Sequence, residues 1–269
     1  MRLIGFIWII VFLPSFSFYT EASEKTVSVA TLYGYPPYTF LKKGHKRGST
    51  EMISIGEDSE ALKGMSWDLL REAFHNQGYR IKLNVSLWAR ALSDVKKGHI
   101  ELLFPAGKNS EREAYFSYSK YPVNEATFLV YVLADSKIEW KGLSSMKGKT
   151  IGVVRGFNLG DKWNQQKSAL SVFDVRDVKS GFKMLERKYI EGFAGYETNF
   201  DMVIKQNKWQ GKFKKLPSFG GSAEYVVGLK KSEKTFVVLQ AFDQGIAQIK
   251  ESGLYQEIVE KWQSYSPQK

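Results

Sequence analysis

The sequence contains no cysteine, and this absence excludes several kinds of site at once. None of its 269 residues can form a disulfide, bind zinc or an iron–sulfur cluster through a thiolate, or act as a cysteine nucleophile. Histidine is also scarce: His45, His75 and His99 are the only three, and they share no metal-ligand spacing. The sequence therefore predicts no metal site and no cofactor.

Common catalytic motifs are missing as well. There is neither a Gly-x-Ser-x-Gly nucleophile elbow nor a Gly-x-Gly-x-x-Gly loop. Residues 142–150 end in Gly-Lys-Thr, but the spacing is one residue too long for a phosphate loop, and the predicted strand follows the motif instead of preceding it. These absences favour a protein that is not an enzyme.

Long apolar runs are absent after the first residues of the chain. Arg2 precedes the apolar run Leu3–Leu13, and Thr20-Glu21-Ala22 places small residues at positions −3 and −1 of a cut after Ala22. These features are typical of a secretory signal peptide, although an uncleaved N-terminal membrane anchor is the alternative. We predict that residues 1–22 are removed on export to a bacterial periplasm.

Basic residues outnumber acidic ones, 39 to 28, which gives a formal net charge of +11. This excess favours anionic partners without saying which kind. Five lysines between 205 and 215 interleave with Trp209 and Phe213, a pattern that can bind nucleic acid. Because we expect an exported protein, we predict a solvated basic face there and no nucleic-acid partner.

Strand and helix patterns alternate along the rest of the chain, as in an α/β protein with mostly parallel sheets. Residues Ala126–Leu133, for example, have the pattern of a strand. One pattern occurs twice: Lys97–Phe104 and Arg187–Ala194 both read as a helix end, Ile-Glu and a buried strand. Two similar α/β halves would explain the repetition.

Several motifs follow one another in a fixed order. They are Tyr35–Tyr38 after a strand, Gly64–Asp68 opening a helix, the helix Trp88–Gly98, Ser110–Arg112 followed by Phe116–Pro122, Leu143–Gly156, and the C-terminal Ile249–Trp262. In this order the motifs resemble the family 3 periplasmic solute-binding proteins, which serve polar amino-acid uptake systems. The resemblance covers most of the chain beyond the predicted signal peptide.

The resemblance implies a type II periplasmic-binding-protein fold, in which two α/β lobes are joined by two hinge strands and hold the ligand between them. The crossovers are expected near Asn124–Thr127 and Gly220–Glu224. Lobe 1 would then comprise residues 23–124 plus 223–269, and lobe 2 residues 125–222. It also implies a small-molecule ligand, an inner-membrane ABC permease or a sensor protein as partner, and a monomer.

Three parts of the ligand site are implied by the same resemblance. Arg112 matches the arginine that binds the ligand carboxylate in amino-acid-binding members, where a guanidinium can donate two parallel hydrogen bonds. Tyr35, on the rigid Pro-Pro turn, is expected to stack on the ligand. The turn that contains Phe157 and Asn158 is expected to offer backbone N–H groups to an anionic group at a helix start.

The sequence departs from the family pattern at three positions. Gly107 replaces the hydroxyl residue expected five positions before the arginine. Leu32 and Tyr196 occupy the positions of the acids that bind the ligand ammonium, and Glu197 follows one step on. Because a buried ammonium needs a charged partner, we expect simple α-amino acids to bind weakly.

Three classes of function remain open on the sequence. The first is a periplasmic protein that captures a small polar or carboxylate-bearing ligand for an ABC-type importer. The second is a ligand sensor for a membrane receptor. The third is an enzyme, because a few relatives of this fold are dehydratases, but Glu197 is the only acid we expect near the cleft. The roles of the long loop 41–63 and of the basic stretch 205–215 stay open.

Overall fold

The computed structural model describes residues 25–46 and 48–265. The predicted signal peptide at 1–22 lies outside these residues. Within the described part, no helix combines the length and apolar character needed to cross a membrane.

Thirteen strands and eight α-helices make up the described chain. The strands are β1 (Lys25–Leu32), β2 (Gly34–Tyr35), β3 (Thr39–Leu41), β4 (Ser49–Ile53), β5 (Leu62–Lys63), β6 (Tyr79–Ser86), β7 (Leu102–Gly107), β8 (Phe116–Leu133), β9 (Thr150–Val154), β10 (Ser171–Val175), β11 (Gly192–Tyr196), β12 (Phe213–Lys215) and β13 (Gly220–Leu229). The helices are α1 (Met65–Asn76), α2 (Trp88–Lys96), α3 (Ser110–Glu113), α4 (Gly160–Gln166), α5 (Val178–Glu186), α6 (Glu197–Gln206), α7 (Glu233–Glu251) and α8 (Leu254–Gln263).

The first lobe is built around β1, which pairs in parallel with β6 and β7. Its side chains alternate between the two faces of the sheet, and those of Val27 and Val29 are fully buried. They belong to a core that includes Trp67 and Phe74 of α1, Phe242 of α7 and residues of α8. Helix α2 contributes Trp88, Ala91 and Val95 to a second core that continues into the other lobe.

The second lobe repeats this arrangement with β9, which pairs in parallel with β10 and β11. Helices α5 and α6 cover it and bury Phe182 and Phe200. The repeated sequence pattern corresponds to α2–β7 in the first lobe and α5–β11 in the second. Both connections need a residue with positive φ, which is Gly98 in the first lobe and Lys188 in the second.

Two long antiparallel strands join the lobes. Strand β8 runs for 18 residues, and β13 pairs with it from one lobe into the other. Asn124 lies opposite Glu224, and Thr127 opposite Gly221, so the two segments expected to cross between the lobes pair with each other. Because these strands run against the parallel ones, the ten-stranded sheet is mixed rather than mostly parallel.

The long loop at 41–63 is partly ordered into an edge strand. Strand β4 adds to β6 in antiparallel fashion. The Asp58 carboxylate anchors the segment by accepting hydrogen bonds from Trp67 Nε1 (2.8 Å) and Lys42 Nζ (3.1 Å) and by pairing with Arg71 (2.8 Å). The insertion thus extends the first lobe at the sheet edge.

The basic stretch 205–215 is built into the second lobe. Phe213 packs on Phe182 with ring centroids 4.9 Å apart, and Trp209 lies 6.2 Å from the same ring. Lys212 forms an ion pair with Glu186. The aromatic residues between these lysines therefore contribute to the core of this lobe.

Candidate ligand-binding site

Six of the seven site residues predicted from the sequence come together where the two lobes face each other. Five of them end or closely follow the parallel strands β7, β9 and β11, whereas Tyr35 ends the short strand β2. Because the carboxyl ends of parallel strands meet at one sheet edge, side chains distant in sequence converge there. The six residues are Tyr35, Gly107, Arg112, Phe157, Asn158 and Tyr196.

Aromatic rings from both lobes form the apolar part of the site. Tyr35 of the first lobe lies 5.5 Å from Tyr196 of the second and 5.0 Å from Tyr38, measured between ring centroids. Phe157 stacks on Tyr196 at 4.7 Å, with an angle of 13° between the ring planes. This packing holds Tyr35 almost completely buried.

The Arg112 guanidinium reaches from the first lobe to the second. Its Nη1 donates to the Gly107 carbonyl (2.9 Å) and its Nη2 to the Gly156 carbonyl (2.8 Å). The group lies 5.5 Å from the centre of the Trp88 ring, and the residue is only 5% exposed. Glu113, a possible ion-pair partner, binds Lys108 instead (2.9 Å).

The turn after β9 differs in one respect from the expectation of free amides. Gly156 has φ +80°, which opens the turn, and its carbonyl also accepts from Trp88 Nε1 (2.7 Å). The Phe157 amide donates to the Val154 carbonyl, and the Asn158 amide donates to the Tyr196 hydroxyl (3.1 Å). Both N–H groups predicted to bind a ligand anion are therefore bonded to the protein.

The Asn158 side chain links the lobes beside Gly107. Its Oδ1 accepts a hydrogen bond from Asn109 Nδ2 (2.8 Å), and its Nδ2 donates to the Lys108 carbonyl (3.1 Å). A Cβ placed on Gly107 would lie 3.1 Å from Asn158 Nδ2. The glycine thus leaves room in the middle of the polar part of the site.

Glu224 is a site residue that the sequence reasoning missed. It lies on the hinge strand β13, is 3% exposed, and its Oε2 accepts hydrogen bonds from the Tyr35 hydroxyl and Asn124 Nδ2 (both 2.6 Å). Burial raises the pKa of Glu224 to about 7, although both hydrogen bonds and the charge of Arg112 act to lower it. An acid inside the apolar strand pattern was the signal that could have identified it.

The tyrosines of the site are neutral at physiological pH. Burial raises the pKa of Tyr38 to about 12, and it also raises the pKa values of Tyr35 and Tyr196 well above their ordinary range. Their hydroxyl groups are therefore donors: Tyr38 donates to the Glu125 carbonyl (3.1 Å) and Tyr196 to the Asn158 carbonyl (2.9 Å).

Glu197, the seventh predicted residue, has a different environment. Its carboxylate bonds to Lys215 Nζ (2.5 Å), which also binds Asp201 (2.9 Å). The acid that the structure brings to Tyr35 and Asn124 is Glu224 instead. The expectation that Glu197 is the only acid near the cleft was wrong, because Glu224 lies on the hinge strand β13 and bonds to Tyr35.

The site combines groups suited to holding a small polar molecule. It offers a guanidinium, a carboxylate, neutral hydroxyls, side-chain amides and aromatic rings. Within the described ranges, no group of three or more Asp, Glu or His side chains is arranged to hold a metal ion. These groups favour recognition by hydrogen bonds and charge, with apolar walls around them.

Comparisons with known proteins agree with this arrangement. The family model of bacterial extracellular solute-binding proteins, family 3, matches residues 27–265. A search of curated protein sequences finds no match.

Solved structures share the fold at low sequence identity. A histidine kinase sensor domain with similarity to periplasmic binding proteins superposes with a TM-score of 0.74 at 15% identity, covering 90% of this chain and 97% of that one. A mutant of ArgBP from T. maritima gives 0.73 at 18% identity, with 90% and 97% coverage. The arginine-, lysine-, histidine-binding protein ArtJ from Geobacillus stearothermophilus gives 0.70 at 19%, with 91% and 97% coverage.

At these identities the likeness establishes the two-lobe periplasmic-binding-protein fold, and the family match is independent of it. The family and the fold are those of binding proteins rather than of enzymes. The chain belongs to the family 3 bacterial extracellular solute-binding proteins.

Proposed function

We propose that the protein captures a small polar, carboxylate-bearing and amino-acid-like molecule between its lobes and delivers it to an ABC-type importer. The observation that carries the proposal is the Arg112 guanidinium. It is buried and bonds to a carbonyl of each lobe, and its bonds within the described chain are to backbone carbonyls, not to a carboxylate.

A buried guanidinium without a carboxylate partner is suited to an anionic ligand. Burying an unpaired charge costs free energy, and a carboxylate with two oxygens matches the fork of N–H donors best. A ligand carboxylate could take the place of the Gly107 and Gly156 carbonyls, or bind beside them. Because Arg112 already reaches the second lobe, such a ligand would link the two lobes.

The cellular setting of the proposal follows from the family and from the N-terminus. Proteins of this family are extracellular, and residues 1–22 have the pattern of a signal peptide. We therefore place the mature protein in the periplasm as a soluble monomer. Residues 23–124 plus 223–269 form lobe 1 and residues 125–222 lobe 2 in this proposal.

The likeness to a histidine kinase sensor domain favours a second candidate, a ligand-sensing role for a membrane receptor. Both candidates use the same ligand site and differ in the partner that reads the closed form. Uptake of the labelled ligand by cells that lack the protein separates them: a transport protein is needed for uptake, whereas a sensor is not.

A thermal-shift screen against small metabolites tests the ligand-binding function directly. A ligand at 100 times its dissociation constant stabilises the folded state by about 2.7 kcal/mol, which raises the melting temperature of a chain this size by roughly 5–10 °C. We expect the stabilising compounds to carry a carboxylate. Failure of every compound to stabilise the protein would contradict the proposal.

Two arginine variants show whether Arg112 binds the ligand. Arg112→Ala should weaken binding by roughly 30-fold to several thousand-fold, and Arg112→Lys should recover part of the loss because an ammonium cannot make the two-bond contact. Arg90→Lys is the matched control, since the Arg90 side chain is 78% exposed. Unchanged affinity in both Arg112 variants would show that the arginine is structural.

A further inference from the structure

One oxygen of the Glu224 carboxylate is open towards the site. Both hydrogen bonds to this carboxylate, from Tyr35 and Asn124, end on Oε2. Within the described residues Oε1 has no hydrogen-bond donor, although the residue is 3% exposed. Oε1 is not among the fully buried polar atoms that lack a partner, so it is accessible from the cleft, which points to a donor supplied from outside the protein.

The open oxygen faces the space that Gly107 leaves free. A Cβ at position 107 would lie 3.8 Å from Glu224 Oε1, 3.6 Å from Ser222 Oγ and 3.1 Å from Asn158 Nδ2. The Gly107 carbonyl itself binds Arg112 Nη1 (2.9 Å). The guanidinium and the open carboxylate oxygen therefore border the same small space from two sides.

We propose that Glu224 is a specificity-determining residue whose Oε1 accepts a hydrogen bond from a donor group of the ligand. The donor is an ammonium, a hydroxyl or an amide N–H on a carbon close to the carboxylate that Arg112 holds. This inference rests on the proposed function and narrows its ligand class to carboxylic acids with a neighbouring donor. Simple α-amino acids, expected above to bind weakly, belong to this class because Glu224 supplies the acid that Leu32 and Tyr196 lack.

The substitution Glu224→Gln separates this role from a structural one. Glutamine has the same shape and keeps one carbonyl oxygen, which can still accept from Tyr35 and Asn124. Its amide nitrogen then stands where Oε1 stood, so the group facing Gly107 changes from an acceptor to a donor. A purely structural Glu224 would tolerate this change, whereas a ligand-reading Glu224 would not.

Matched triplets of carboxylic acids provide the test. Each triplet has one carbon skeleton with hydrogen, hydroxyl or ammonium on carbon 2, as in succinate, malate and aspartate or glutarate, 2-hydroxyglutarate and glutamate. We expect a donor-bearing member to bind the wild type at least tenfold more tightly than the hydrogen member. In Glu224→Gln this preference should disappear.

Two results would contradict the role of Glu224 and leave the proposed function unaffected. The first is equal binding of all members of a triplet by the wild type, and the second is the same donor preference in Glu224→Gln. If no triplet member and no library compound bearing a carboxylate binds, the inference falls together with the proposed function. Where a carboxylate does bind, the Arg112 variants test the proposed function by itself, because they respond to the carboxylate and not to the donor.

Gly107→Ala gives a second variant that does not alter any charge. Gly107 has no positive φ, so the backbone accepts alanine without strain. The added methyl group occupies the space next to Glu224 Oε1 and requires Asn158 Nδ2 to move by a few tenths of an ångström. We expect weaker binding of the donor-bearing acids with little change in melting temperature; unchanged binding would place the ligand elsewhere.

Discussion

At the scale of single residues, Glu224 carries the clearest electrostatic conflict in the protein. Burial disfavours its charged form and raises its pKa to about 7, while Tyr35, Asn124 and the Arg112 charge favour ionisation. The remaining ionisable groups around it are Tyr38 and Tyr196, which stay neutral because burial raises their pKa values as well. Near neutral pH the site therefore exists with Glu224 in both protonation states.

This raised pKa has a consequence for stability. In the unfolded chain Glu224 ionises near its ordinary pKa of 4.5, whereas in the folded protein it retains its proton up to about pH 7. The folded state binds more protons between these values, so its stability falls as the pH rises through this window, by up to about 3 kcal/mol from this residue. Glu224→Gln removes the effect.

Urea unfolding of the wild type and of Glu224→Gln, both without ligand, at pH 4.5 and pH 8 measures this pH dependence of stability. We expect the wild type to lose stability relative to Glu224→Gln between the two values. The comparison with the variant removes the contribution of all other titrating groups. Parallel pH profiles would show that Glu224 is ionised in the folded state with an ordinary pKa.

The sequence predicted the cation of the site better than its acid. Arg112 could be placed because it belongs to an ordered set of motifs. Glu224 could not, because the side of the sheet that a strand residue faces depends on its pairing with β7 and β8. Glu197 was expected near the ligand because it follows Tyr196, but at the first residue of α6 its carboxylate binds Lys215.

At the scale of elements, the tight contact between α1 and α7 limits what the first lobe tolerates. Gly245 of α7 packs so closely on α1 that a Cβ there would lie 2.1 Å from the Ala73 carbonyl oxygen. The neighbours are backbone atoms, so they cannot be moved without separating the two helices.

Gly245→Ala should therefore destabilise the protein, by about 2 kcal/mol or more. The sign is opposite to that of an ordinary helix position, where alanine is favoured over glycine by about 1 kcal/mol. Urea unfolding measures the change, and Gln244→Ala, on the exposed side of the same helix, is the matched control. Equal or greater stability of Gly245→Ala would show that the helices are further apart.

The alternation of elements was predictable where periodicity is strong, and the repeated α2–β7 and α5–β11 pattern is confirmed by the sheet order. The length of β8 was not predictable. The pattern predicted a strand only from Ala126, whereas β8 begins at Phe116. Pro122 and Asn124 interrupt the strand pattern, but irregular pairing with β13 accommodates them.

At the scale of the whole molecule, the polar contacts between the lobes outside the two hinge strands are individual hydrogen bonds. Arg112 and Trp88 of the first lobe bind the Gly156 carbonyl, Asn158 of the second bonds to Asn109 and Lys108, Asp161 accepts from Ser110, and Asn199 donates to the Pro36 carbonyl (3.2 Å). Two lobes joined by a two-strand hinge and by hydrogen bonds of this kind can separate and close again. The resemblance predicted the lobes and crossovers, but contacts across the cleft depend on side-chain positions that no motif specifies.

The most direct test of the account is small-angle X-ray scattering of the wild type, alone and saturated with the strongest compound from the thermal-shift screen. If one solute binds both lobes through the Arg112 site, saturation shifts the population to the closed form, and the radius of gyration should decrease. Calorimetry on the same sample should show one equivalent bound. An unchanged radius of gyration with one equivalent bound would contradict capture of the ligand between the lobes.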